Sequence, residues 1–77
     1  MHFMTERYLV TADGQDLIDG EAARPEALRA ALAHLDRALP QRQVAIADAR
    51  TLQVCALWER RGAANGYRLV GALQGWL

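Results

Sequence analysis

Thr51-Leu52-Gln53-Val54-Cys55-Ala56-Leu57-Trp58-Glu59-Arg60-Arg61 supports two backbone conformations, and the choice between them sets the architecture. Read as a strand, Leu52, Val54, Ala56 and Trp58 alternate with Gln53, Cys55, Leu57 and Glu59, and the β-branched and aromatic side chains suit a pleated, half-buried surface. Read as a helix, the same stretch is capped by Asp48 and ended by Gly62. The period of two favours the strand.

Downstream, Gly62-Ala63-Ala64-Asn65-Gly66 is a loop that closes on the hairpin dipeptide Asn-Gly, and Tyr67, Leu69 and Val70 begin a last strand. Gly71 and Gly75 mark a bulge or a close backbone approach within it. Leu69, Val70, Leu73, Trp76 and Leu77 also satisfy a helical stripe, so this end keeps both readings. Upstream, Val44, Ile46 and Asp48 alternate with Ala45, Ala47 and Ala49, which predicts a strand whose small face lies under a helix or a second sheet. Asp48-Ala49-Arg50 then reads as a turn.

Before Pro40 the period changes to that of a helix. From Pro25 to Leu39, Leu28, Ala31, Leu32, Leu35, Ala38 and Leu39 recur at steps of three and four and form one apolar stripe. Pro25 suits a first turn, Glu26 complements the positive end of the helix dipole, and Pro40 stops the run. One stripe means one packed face, and a sheet is the natural surface for it to cover. At the N-terminal end, Tyr8, Val10 and Ala12 alternate with Leu9 and Thr11, Asp13-Gly14 supplies a tight turn, and Leu17-Ile18 offers a short return strand. Asp16 and Asp19 suit that return strand to an edge. The expected fold is a single α+β domain over residues 1–77, ordered ββαβββ, with an antiparallel sheet and one helix on one face.

Composition bounds what such a domain does. A chain of 77 residues buries only about 60% of the surface its unfolded form exposes, so its stability margin is thin and a second subunit would help it. All nine basic residues are Arg, and there is no Lys and no Ser, which excludes a Schiff base, a P-loop lysine and a serine nucleophile. Arg without Lys, beside an Ala-rich composition, is the bias of a GC-rich genome and fits a bacterial or phage source. Cys55 has no partner for an internal disulfide, and no apolar run approaches the roughly 18 residues a membrane helix needs. The N-terminus lacks the layout of a signal peptide. A cytoplasmic location is therefore expected.

Candidate chemistry is sparse. Cys55 sits among apolar neighbours, where a thiol is a small core residue, and His34 lies beside the helix stripe with no partner that the sequence can place. Asp13, Asp16, Asp19 and Glu21 form the densest run of like charge, but they miss the alternating oxygen pattern of a calcium loop and read as a solvated turn and edge. No metal site, cofactor or catalytic residue is expected.

Charge distribution is more informative than charge sum. The formal net charge is zero, yet residues 1–49 carry eight acids and five Arg while residues 50–77 carry one acid and four Arg. Arg60, Arg61 and Arg68 gather near the loop of the C-terminal hairpin, where they suit an acidic protein surface or, less well, nucleic acid. Trp58 and Trp76 allow two arrangements, both in one core or one exposed beside the arginines as an interface anchor. The expected function is a small non-enzymatic protein-binding domain, a regulator or inhibitor acting as a homodimer, with contacts from Arg60, Arg61, Arg68, Trp58 and Trp76. A nucleic-acid module using the same arginines, and a small enzyme or ligand-binding domain assembled at a dimer interface, are the alternatives.

Overall fold

Asp13 and Gly14 take φ angles of 49° and 83°, the paired positive values that a two-residue hairpin turn demands. They join β1 (Tyr8–Ala12) to β2 (Gln15–Asp16) in a computed structural model that describes residues 6–36, 41–60 and 66–77. Because the turn uses only two residues, pairing resumes at once, with Ala12 opposite Gln15 and Thr11 opposite Asp16. The return strand is therefore Gln15–Asp16, two residues ahead of the expected Leu17-Ile18. Leu17 still donates its N–H to the Val10 carbonyl at 2.8 Å, and both Leu17 and Ile18 pack against the core. The chain then swings back, and Tyr8 and Ala22 exchange backbone hydrogen bonds of 2.8 and 3.0 Å.

The helix α1 (Arg24–Leu35) follows, with Pro25 in its first turn and Asp36 as its C-cap. The expected extension through Ala38 and Leu39 to Pro40 lies outside the described residues. Its buried positions are Ala27 and Ala31, flanked by the partly buried Leu28 and Leu35, while Leu32 is 49% exposed. The stripe thus centres on alanines rather than on Leu32. At about 100° per residue, Leu32 turns a quarter of the way round from Ala31 and leaves the sheet. Small side chains at the contact let the helix axis approach the strands closely, which is where alanine serves a helix better than leucine.

Three strands complete the order: β3 (Gln43–Asp48), β4 (Val54–Arg60) and β5 (Tyr67–Ala72). All pairs are antiparallel, and the five-stranded sheet runs β2-β1-β3-β4-β5, so the short β2 is one edge and β5 the other. This is the expected α+β arrangement, and it resolves both ambiguous stretches as strands. The helix packs on β1 and β3. Tyr8, Val10 and Ala12 face it with Val44 and Ile46, their register partners or neighbours on the same side. The alanine face of β3 is the opposite one, a correction to the expectation that small residues lie under the helix: the bulkier Val44 and Ile46 fill the core because α1 already contributes the small side chains.

Between β3 and β4, Asp48 organises the turn. Its Oδ1 accepts from the N–H groups of Arg50 and Thr51 at 2.8 and 3.1 Å, and its carbonyl accepts from Leu52 at 2.8 Å. Leu52 has φ of 63°, so it belongs to the turn and β4 starts two residues later than Leu52-based alternation implies. A register shift between Ile46 and Ala47 places Cys55 as an extra residue between Ala56 and Val54. Cys55 and Ala56 are consequently both buried, while Val54 moves opposite Ala47 onto the other face.

A second shift sets Val70 between Leu69, opposite Trp58, and Gly71, opposite Leu57. The bulge expected near Gly71 thus falls on its neighbour Val70. Gly75 has another use: with φ of 78° it is the third residue of a turn from Leu73 to Trp76, closed by the Trp76 N–H on the Leu73 carbonyl at 3.0 Å. That turn ends any helical reading of the C-terminal stripe and sends Trp76 back to the core. Among the described residues no helix is long and apolar enough to cross a membrane.

Candidate partner-binding site

Both tryptophans are interior. Trp58 and Trp76 are each 7% exposed and belong to the same buried cluster as Tyr8, Val10, Val44 and Ile46. Of the two arrangements open to them, the single core is the one adopted, and neither ring is presented at the surface. The physical reason is the turn at Gly75, which the strand alternation does not reveal: Trp76 meets the Tyr8 ring edge-on at 5.3 Å between centroids, and the Arg24 guanidinium lies 5.2 Å from its ring centre.

Arg60 and Arg68 do not share a face of the sheet. Arg60 lies opposite Tyr67 in register, two residues along from Trp58, and so points to the helix side of the sheet. Arg68 lies opposite Glu59 and points to the other side. Alternation along the strands separates them across the sheet, and Arg61 is outside the described residues. Arg68 is exposed, and its charge faces an opposite one directly across the strands.

What the C-terminal hairpin does present is an edge. Among the described residues β5 pairs only with β4, and from Arg68 to Ala72 each of its residues is exposed. Leu69 and Val70 are 44% and 54% exposed, and Leu73 and Leu77 lie exposed just beyond the strand. The sheet face away from the helix is apolar as well. A row of register partners, Thr11, Ala45, Leu57 and Gly71, crosses four strands there, with Leu9, Ala47 and Val54 in the next row. These side chains are mostly half-buried by one another, whereas the β5 residues are not.

A polar cleft of about 350 Å³ opens where β1, the Asp48 turn and the C-terminal turn meet. Tyr8, Glu6, Arg24 and Asp48 are hydrogen-bonded within the chain, whereas the buried Trp76 Nε1–H has no hydrogen-bond partner among the described residues. Tyr8 donates its hydroxyl to Glu6 at 2.7 Å, and this bond, with burial, raises the phenol above its ordinary range while the Trp76 indole works against the rise. Thr51 and Arg50 backbone N–H groups hold the Asp48 carboxyl below the usual range. Burial pushes the Cys55 thiol up, and its Sγ lies 3.6 Å from the Gln53 carbonyl. A protonated, 3% exposed thiol is a poor nucleophile. On the far side of the helix, His34 shares a 3.2 Å hydrogen bond with Gln41. Of the acidic run, Asp13 accepts from the N–H groups of Arg42 and Gln43 and so ties the first hairpin to β3. Among the described residues no three His, Cys, Asp or Glu are grouped to hold a metal ion.

No protein-family model matches the chain, and neither a curated protein nor a solved structure resembles it at a significant level.

Proposed function

We propose that this chain is a small protein-binding domain, without a catalytic step of its own, that makes contact by adding a strand to its sheet at β5. The observation that carries this reading is the apolar edge of β5, which no other described strand covers. An extended segment laid along it gains main-chain hydrogen bonds and covers Leu69, Val70 and Leu73, the same combination that other strand-adding domains use for affinity and specificity. The contact residues are accordingly those of β5 with Arg68. The tryptophans support them from inside, as part of the core on which β4 rests.

A nucleic-acid module fits less well. Phosphate recognition needs basic groups on one surface, and Arg60 and Arg68 face opposite sides of the sheet. A polar cleft whose hydroxyl, carboxylate and guanidinium groups are already engaged within the chain is likewise weak support for an enzyme.

The test compares the wild-type chain with Leu69→Lys plus Leu73→Lys in binding to extended apolar peptides and to proteins captured from a lysate. Binding that is lost in the double variant supports the reading. Unchanged capture sets it aside, and retention on nucleic acid at low salt that falls steeply as salt is raised would favour the module instead.

A further inference from the structure

We propose that the strand occupying this edge is β5 of a second copy, the two running antiparallel about a two-fold axis so that the sheet continues from one molecule into the other. The proposal rests on the binding-domain reading and names its partner.

The two edges of the sheet differ in the devices that discourage pairing. β2 is two residues long, carries Asp16, and is followed by Asp19 and Glu21, a short and acidic edge of the kind that resists addition. β5 is six residues long, roughly 20 Å of strand, with no Pro, no acid and no Lys, though it carries the bulge at Val70. Its one charge, Arg68, already faces Glu59 across the β4–β5 ladder. Antiparallel self-pairing sets the two copies' Arg68 side chains toward opposite ends of the paired strands, so these like charges are not brought together.

Symmetry supplies the rest. A two-fold interface is the commonest way for a soluble chain to associate, and it uses the same patch twice. With the axis at Val70, the exposed Val70 of one copy lies opposite that of the other, Leu69 lies opposite Gly71, and Arg68 lies opposite the small side chain of Ala72. The bulge at Val70 divides the pairing into the stretches on either side of it. An interface of one strand and its flanking leucines is at the small end of specific contacts, so association in the micromolar range is expected.

Sedimentation equilibrium of the full chain, from low to high micromolar concentration, tests this with hydrogen exchange read amide by amide. The expected result is a mass that rises toward twice that of the chain, with β5 amides alone becoming slower as concentration increases. Leu69→Lys plus Val70→Lys, which changes only exposed positions, is expected to stay monomeric with an unaltered melting curve at low concentration. A monomeric mass throughout overturns the proposal, as does a dimer that survives the double variant or one that is dissociated by Leu57→Lys on the open face. If the monomer nonetheless protects its β5 amides on addition of an extended apolar peptide, self-pairing alone has failed. If nothing protects them, the binding-domain reading fails with it.

Discussion

Arg24 grips the chain on the far side of Trp76: from the first residue of α1, one guanidinium nitrogen donates to the carbonyls of Gly75 and Trp76, the former at 3.1 Å, while the guanidinium lies 5.2 Å from the centre of the Trp76 ring. A single side chain thereby fastens the C-terminal turn to the start of the helix.

Removing that side chain should free the turn without emptying the core. Arg24→Ala is expected to cost about 1–3 kcal/mol, the sum of charge-assisted hydrogen bonds and a cation–π contact at a part-exposed site. Arg24→Lys should recover only part of it, because an ammonium can still donate to the carbonyls but lacks the planar guanidinium that lies over the Trp76 ring. Urea unfolding followed by tryptophan fluorescence measures both, and equal stability of all three proteins would show that the strap carries no energy. Trp76→Ala goes further, with an expected loss of about 3–5 kcal/mol that a chain of this size tolerates poorly.

Leu52 offers a change in the opposite direction. Its φ of 63° is costly for a residue with a branched side chain, and that side chain is 66% exposed, so it contributes little packing in return. Leu52→Gly is expected to stabilise the protein by about 0.5–1 kcal/mol, net of the entropy glycine loses on folding. A lowered melting temperature would contradict this account of the β3–β4 turn.

Asp13 serves two purposes that substitution can separate. It occupies a positive φ in the first hairpin turn, and its carboxylate accepts from Gln43 N–H at 2.9 Å and from Arg42 N–H at 3.1 Å. Asp13→Gly keeps the turn but loses both acceptors, whereas Asp13→Asn keeps the turn and one acceptor oxygen. The expected order of stability is wild type, then Asn, then Gly, spanning about 1–2 kcal/mol. Gly equal to wild type would mean that the tie to β3 is idle.

Two groups should respond to alkali together. Tyr8 has its phenol raised, first by donation to Glu6 and then by burial. A group whose folded pKa lies above its unfolded value adds stability that is complete below the unfolded value and is lost as pH climbs through the folded one, so Tyr8 should weaken the fold only above about pH 10. Cys55 is raised by burial, and its thiol should react slowly with a disulfide reagent in the native protein and quickly in urea. Rapid native labelling at pH 8 would place Cys55 in solvent. At the acid end the sign reverses for Asp48: its depressed carboxyl supports the fold above the ordinary aspartate range, and that support disappears as pH falls through the lowered value.

Much of this arrangement is written in local sequence. The Asp13-Gly14 turn, the strand alternation around Val44 and Ile46, and the position of the helix each follow from a few adjacent residues. What escapes such reading depends on contacts between distant ones. Nothing near Trp58 or Trp76 says that both are buried; that outcome needs the turn at Gly75 and the hold of Arg24. The arginines read as a cluster because they are close in sequence, but alternation in a hairpin sends Arg60 and Arg68 to opposite sides. The two bulges, at Cys55 and Val70, shift face assignments by one residue and cannot be placed until the partner strand is known. The apolar edge of β5 was legible only as a stripe, since an edge exists only once the order of strands is fixed.

The order β2-β1-β3-β4-β5 has a kinetic meaning too. Strands β1 and β2 pair across a local turn, and β3, β4 and β5 each pair with the next strand in the chain, so the sheet is made of two ribbons that each assemble from neighbours in sequence. They meet at a single seam, β1 against β3, whose partners are separated by the whole of α1. Closing that seam carries the loop entropy of the fold, and it is the step at which helix and sheet become one cooperative unit.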